Sequence, residues 1–253
     1  MSDIAETIKT CYSDRMHGPL LSQGTSFCCP PSRSRGSGQR AFTLIELLAV
    51  IAVIGILAAI LIPVIGGVRS KAHQAECTSN LRSIGSALRL FAMEHNGMFP
   101  GPVMRGQRAL YGQNPNSLLF HLGPYMGLGD PPDDGVRFVE AFSCPAHRAA
   151  ASDPESPVWW LNHEAVVIDS DTRVNPWGHP NSKPEPGKPI RALKIEHPAR
   201  QMVMQDVDAQ IPAGWAGIPE EPVHGNVRNR LFFDGHVEAV PADLGREVMS
   251  TPE

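Results

Sequence analysis

The chain has 253 residues, 42% of them hydrophobic, and a formal net charge of −4. That length suits one ordinary domain with appendages, or two small ones. So weak a negative charge, with no basic stripe carrying interleaved aromatics, argues against nucleic acid as a partner.

Residues 1–41 show no hydrophobic periodicity and end in a polar, basic stretch from Ser32 to Arg40. Such a composition cannot bury a core, so the segment is expected to be disordered, with Met16 as an alternative start. Cys11, Cys28 and Cys29 fall here. The adjacent pair has no second ligand pair at zinc-finger spacing and reads as incidental.

From Leu47 to Val68 there is no charged residue, a run of about 22 positions and long enough to cross a bilayer as a helix. A secretory signal peptide would carry a shorter apolar region followed by a small-x-small cleavage site. A plain signal anchor would share this length. Beyond Arg69 the apolar positions Cys77, Leu81, Ile84, Leu88 and Phe91 recur at steps of three and four, one stripe of a continuing helix. His95-Asn96-Gly97 suits a left-handed cap, and Pro100 blocks any resumption.

Most of the 24 prolines and 23 glycines come after position 96, the mark of a loop-rich domain of short strands. Ser117 to Tyr125 reads as a short helix. The expected strands are Val136–Phe142, Val158–Leu161, Ala165–Ile168, Gln201–Gln205, Arg230–Phe233 and His236–Val240. Asp234-Gly235 between the last two signals a hairpin turn. Asp169 to Pro189 reads as a long surface loop. Trp159 and Trp160 are expected on a strand packed against the long helix, with one of them open as a contact surface in the alternative.

Arg40-Ala41-Phe42-Thr43-Leu44-Ile45-Glu46 stands at the head of the apolar run. This resembles the cleavage and methylation motif of type IV prepilins and type II secretion pseudopilins. The resemblance implies that a prepilin peptidase cuts between Ala41 and Phe42 and methylates the new amine, with Glu46 five residues into the mature chain. It also implies a helix break at Pro63. The residue before the cut is usually Gly in that family, and Ala41, the next smallest, replaces it. A carboxylate at the edge of an apolar helix costs a few kcal/mol to bury alone. An amine on Phe42, of the same or a neighbouring subunit, would offset that cost and set a register. The plainer role of Glu46 is an interfacial carboxylate reaching headgroup water.

Near the end, His224, nine intervening residues and Asp234-Gly235 are followed by His236. This resembles a small motif (H-X9-DG) associated with prepilin processing signals in planctomycete and verrucomicrobial proteins, as do Asn80 to Gly85 and Phe142 to Pro145. Physically, Gly235 supplies positive φ, Asp234 caps the turn, and His224 can hydrogen-bond across the preceding strand. The sharper alternative is a metal site of His224, Asp234 and His236, with Asp206 or Asp208 nearby. Calcium is the metal that pseudopilin heads can carry, but no dense carboxylate loop is visible.

If the apolar run separates two compartments, only Cys77 and Cys144 reach an oxidising space. There they can bond and tie the helix to the head; the alternative is two buried thiols acting as small apolar side chains. Cys144-Pro145-Ala146-His147 lacks the partner pair that zinc requires. No nucleophile elbow, phosphate loop or His-Glu-x-x-His occurs, so no enzyme is expected.

The fold class expected is α+β and pilin-like: a long N-terminal helix, membrane anchor first and amphipathic after, packed on a small antiparallel sheet head. The domains would be a leader removed over 1–41, the helix over 42–97 with its membrane span at about 47–68, and the head over 98–253. The resemblance implies a structural pilin or pseudopilin subunit with no cofactor. Its partners would be the prepilin peptidase, other pilin subunits and the inner membrane. Arg33, Arg35 and Arg40 before the run nearly balance Arg69, Lys71 and Arg82 after it. Orientation therefore follows from the resemblance: single-pass, with the head in the periplasm or on an extracellular fibre. Two other classes stay open. One is an anchored module binding a glycan or a metal; the other is a tethered enzyme dependent on His224 or Asp234.

Overall fold

The structure, a computed structural model, describes residues 43–168, 173–211 and 213–243; the side chains of Pro63, Val64 and Val166 lie outside that description. Its first element, α1, is a single helix over Leu44–Glu94. The chain divides into two units at Ile51/Ala52, so the first turns of α1 are described apart from the head. The 19-residue stretch Leu44–Ile62 has a mean hydropathy of 3.0 and none of it is buried. At 1.5 Å per residue it is about 29 Å long, close to the roughly 30 Å hydrocarbon thickness of a bilayer. By length and composition it can cross a membrane.

Pro63 does not break the helix, contrary to the expectation from the motif, because α1 runs through it. Proline removes one backbone donor but leaves the rest of the ladder intact, and long apolar helices tolerate that loss. Where α1 does end, the cap is the expected one. Asn96 and Gly97 take φ of 55° and 78°, and the Gly97 amide donates back to the Ala92 carbonyl at 2.7 Å. That satisfies a carbonyl the last turn would otherwise orphan.

The head is antiparallel throughout its main sheet. β1 (Gly106–Gln107), β4 (Trp159–Leu161), β7 (Met202–Asp206), β8 (Val227–Phe232) and β9 (Val237–Pro241) lie side by side in that order. Two further hairpin-like pairs flank it: β2 (Leu110–Gly112) with β3 (Val136–Phe138), and β5 (Ala165–Val166) with β6 (Arg173–Val174). Helices α2 (Leu118–Leu122) and α3 (Pro145–Ala150) complete the elements. The α+β arrangement read from the sequence is therefore present.

The stripe on α1 forms one wall of the core. Cys77, Leu81 and Ile84 are fully buried, and Leu88 and Phe91 nearly so. Facing them are Phe142, Trp159, Leu161, Met204 and Leu231. Trp159 fills the centre while its indole nitrogen donates to the Phe142 carbonyl at 2.8 Å, so its polar tip is satisfied in an apolar setting. Trp160 points the other way, yet it is not an exposed contact surface. It is buried in a second small cluster with Met202, Val207 and Ile211, beneath the segment that follows β7.

Two expectations are corrected by packing, and one helix is added. The strand expected over Val136–Phe142 ends at Phe138 and becomes a 3-10 turn over Glu140–Phe142; that turn aims Phe142 into the core and lets the Asn80 amide donate to the Glu140 and Ser143 carbonyls. Within the expected surface loop, residues 169–172 lie outside the described residues, but Trp177 is fully buried and donates to the Asn162 carbonyl at 2.6 Å. Phe99 and Phe233 pack on its ring, so a large aromatic pins a stretch rich in turn formers. Helix α3 was not foreseen, although Pro145 at its first position is a known start signal.

The β8–β9 hairpin seats on α1. Leu231 pairs with Val237, and Gly235, at φ 90°, closes the turn by donating to the Phe232 carbonyl at 2.8 Å. Asp234 Oδ1 accepts from the His236 amide. On the helix side, Arg89 donates to the Asp234 carbonyl at 3.0 Å. A Cβ on Gly85 would stand 2.8 Å from Leu231 Cδ1, so the absent side chain is what admits the strand.

Two stability measurements check this packing, both by urea unfolding of the full chain in detergent micelles. Gly235→Ala should cost about 1–3 kcal/mol, because the backbone must hold φ 90° with a Cβ aimed at Arg89; an unchanged midpoint would show that the turn is not seated as described. The second variable is pH. Burial lowers the imidazoles of His147 and His224 to about 4 and that of His163 to about 3, and raises the Asp206 carboxyl to about 7. From about pH 4 to 6.5, unfolding therefore takes up protons on three histidines and releases one from Asp206. Stability should rise with pH across that window, by up to about 2.7 kcal/mol per unit for a net two protons. A flat or falling midpoint would mean that these histidines are not held neutral in the folded head.

Candidate functional site

Two groups of residues carry candidate function, one at the start of α1 and one under the head's main sheet. At the first, Thr43 precedes α1 and Glu46 occupies its first turn. Glu46 Oε2 accepts from the Thr43 amide at 2.9 Å and from its hydroxyl at 3.0 Å, while the Glu46 amide donates to Thr43 Oγ1 at 3.3 Å. This reciprocal arrangement is a capping box, which satisfies amides that the helix start would leave orphaned. Thr43-x-x-Glu46 before an apolar run is its sequence signature, so this second task of Glu46 was legible and was missed. Ala41 and Phe42 lie outside the described residues. Glu46 therefore stands in the only part of the motif that is described, with its carboxylate held back toward the chain preceding α1.

The second group gathers around a disulfide. Cys77 on α1 and Cys144, just before α3, are bonded, with their Cα atoms 4.8 Å apart. The bond closes a link between residues 67 apart in sequence and staples α1 to the segment carrying Phe142. His224 Nε2 lies 3.3 Å from Cys144 Sγ and 3.7 Å from Asp206 Oδ2. Both side chains are sealed from solvent, at 1% and 4% exposure. The close approach of His224 and Asp206 is not an ion pair. Burial keeps the imidazole neutral, with His73 one turn before Cys77 lowering it further, and burial favours the protonated carboxyl. Asp206 is oriented from behind by the Asn229 amide, which donates to Oδ2 at 2.7 Å. Beside it, Arg228 makes a two-pronged bond to Asp208, at 2.7 and 2.8 Å, so Asp208 is committed elsewhere.

The C-terminal motif thus divides between two places. His224 joins the disulfide and Asp206, whereas Asp234 and His236 pair with each other at the hairpin turn, 2.6 Å apart. The metal triad of His224, Asp234 and His236 is not assembled. Among the described residues, the cluster of at least three potential metal-binding side chains is Cys77, Cys144 and His224. The nine-residue spacing fails to bring His224 to Asp234 because β8 carries the chain along the sheet between them. His147 is also not a ligand with Cys144; it is buried apart and neutral.

Comparison with known proteins bears on the first group. The family described as "Prokaryotic N-terminal methylation motif" matches residues 36–62, which include Ala41, Phe42 and Glu46. The chain is 36% identical over 61 residues to type II secretion system core protein G of Pectobacterium carotovorum subsp. carotovorum, covering 24% of this chain and 39% of that protein. To the type IV major pilin protein PilA of Myxococcus xanthus it is 46% identical over 55 residues, 22% of this chain and 25% of that one. To core protein G of Escherichia coli it is 33% identical over 58 residues, 23% and 40%. The matches thus span less than half of each relative's length. No solved structure matches the chain. The likeness is confined to about a quarter of the chain, and the head stands on its own geometry.

Proposed function

We propose that the chain is a structural subunit of the prepilin class, cut between Ala41 and Phe42, methylated on Phe42, and assembled through its apolar helix into a type IV pilus-like fibre or a type II secretion pseudopilus. The observation that carries this reading is the start of α1. A stretch long enough to cross a bilayer is left wholly uncovered, and it begins at the segment matching the methylation motif. Uncovered leucine and isoleucine on every face require lipid or other apolar helices. A subunit that waits in the inner membrane and then packs among identical helices meets that demand twice.

Under this reading residues 1–41 are the leader, 42–97 the assembly helix and 98–253 the head, exported to the periplasm or displayed on the fibre. The partners are the prepilin peptidase and other pilin-like subunits, and the role is structural rather than catalytic. Glu46 holds two roles in sequence: it caps α1 in the precursor, and after cleavage it faces the new Phe42 amine of its own or an adjacent subunit.

The N-terminal sequence and mass of the chain from native membranes test the reading. Methylated Phe42 at the N-terminus is expected. An intact leader, or a cut beyond the apolar run, would overturn the proposal. In the same cells, Glu46→Gln should leave cleavage intact and reduce fibre-associated chain several-fold, because the amide cannot neutralise the amine.

A second reading, an anchored glycan-binding module, is favoured by one feature. A cleft of about 450 Å³ at the edge strand β1 is lined by Arg108, Asn114, Asn116 and Trp215, an aromatic beside amide and guanidinium groups. Titration of the solubilised chain with oligosaccharides, followed by tryptophan fluorescence, decides it; a Trp215→Ala variant should abolish any response.

A further inference from the structure

The Cys77–Cys144 disulfide is an unusual neighbour for the groups around it. A disulfide between two fully buried sulfurs has little use for a histidine and an aspartate sealed in the same space. His224 Nε2 faces both a sulfur, at 3.3 Å, and a carboxylate oxygen, at 3.7 Å, so two polar side chains and the bond share one buried place. An apolar pair of the same size would have cost the head less. The donor set is nevertheless coherent in another state of the sulfurs.

We propose that Cys77, Cys144, His224 and Asp206 form a four-ligand site for a divalent ion of the zinc class when the cysteines are reduced, and that the disulfide is the metal-free form of the same staple. Two thiolates and one imidazole are a zinc donor set, and a carboxylate oxygen is an accepted fourth ligand; the first three share one cluster, and Asp206 approaches it at His224. From zinc bond lengths, tetrahedral geometry requires sulfur–nitrogen and nitrogen–oxygen edges of about 3.6 and 3.4 Å. The observed approaches are 3.3 Å from Cys144 Sγ to His224 Nε2 and 3.7 Å from His224 Nε2 to Asp206 Oδ2. The same imidazole nitrogen faces both, as a ligand nitrogen must, and the sulfur and imidazole donor atoms all lie within 4.8 Å of one another. The Asn229 amide fixes Asp206 Oδ2 from behind, the kind of outer support that metal carboxylates receive. Calcium does not suit the site, since it takes six or more oxygens.

Going from the disulfide to the metal form is a two-electron reduction. A dithiol supplies both electrons and two protons and becomes a disulfide itself; the Sγ–Sγ bond breaks to two thiols, whose protons pass to water as the ion binds. Either form ties α1 to the segment before α3. The ion would keep that tie under reducing conditions, and the covalent bond keeps it under oxidising ones.

Cobalt(II) is the probe, because tetrahedral cobalt with thiolate ligands shows intense visible bands and a near-ultraviolet charge-transfer band. The full chain carrying Cys11→Ser, Cys28→Ser and Cys29→Ser, which removes leader thiols, is made in a reducing cytosol and titrated in detergent under argon. One cobalt per chain with both spectral features is expected, zinc should displace it, and the oxidised chain should bind none. His224→Ala and Asp206→Asn should each weaken binding by at least about tenfold, whereas His236→Ala should not. Absence of the thiolate band in the reduced chain, or variants that titrate like the parent, would overturn the proposal. A readout independent of variants is the urea midpoint, which zinc should raise only in the reduced chain; an equal effect of zinc on the oxidised chain would also sink the site.

Discussion

Leu81 and Ile84 are fully buried on a helix whose earlier residues Leu44 and Ile45 are 87% and 74% exposed, and this asymmetry along α1 governs the rest of the molecule. The helix has one backbone and two kinds of surface. Its early turns are apolar on every side; its later turns confine apolar residues to a stripe and leave Ser83, Arg82 and Ser86 on other faces. A uniformly apolar helix would have no preferred direction from which to receive a sheet. The stripe supplies that direction, and the head is built outward from it, through Phe142 and Trp159 to Met204 and Leu231. Burying residues such as Leu81 is worth about 1.5–3 kcal/mol each.

The C-terminal motif makes sense as part of that attachment. Gly85 leaves room for Leu231, Arg89 donates to the Asp234 carbonyl at the turn, and Gly235 supplies the backbone conformation that closes it. His224, at the other end of β8, reaches the bond between Cys77 and Cys144. The spacing of nine residues is therefore the length of a strand plus its approach. It places the turn on α1 and His224 beside the disulfide that joins α1, rather than bringing two side chains into one site. A strand tied at both ends to one helix has its register specified, and a slip by one residue would turn Leu231 away from Gly85.

Much of this was legible in the sequence. The stripe from Cys77 to Phe91, the cap at Asn96-Gly97 and the hairpin at Asp234-Gly235 are local signals, each set by residues a few positions apart. β4, β7, β8 and β9 were found within a residue or so in most cases, since β-branched and aromatic runs bounded by turn formers suffice. What failed was decided by distant partners. Phe142 leaves its strand for a 3-10 turn because the core and Asn80 draw it in. Trp177 is buried in a segment whose composition reads as surface loop, and only the positions of Phe99 and Phe233 explain it. Asp206 was named beside His224, but that Asp234 and His236 stay away from it depends on the course of β8 along the sheet, which is not written in spacing. The very short β1, β2 and β6 carry too few residues to display any period.

The two halves of α1 also solve one problem by different means. The later half hides its apolar stripe within its own chain, and a covalent bond at Cys77 secures the cover at its edge. Among the described residues the early half has no cover, since every large side chain from Leu44 to Ile62 is exposed and only Glu46 interrupts the apolar surface. Apolar area of that extent is not stable in water, which suits a stretch that by length and composition can cross a membrane. A carboxylate at the edge of such a surface is tolerable while it caps its own helix at a bilayer interface. Under the proposed assembly the helix would move among others, where lipid headgroups no longer reach the carboxylate and burying it alone would be costly. The capping box at Thr43 meets the first condition, and under the proposed cleavage and assembly a newly freed amine would meet the second.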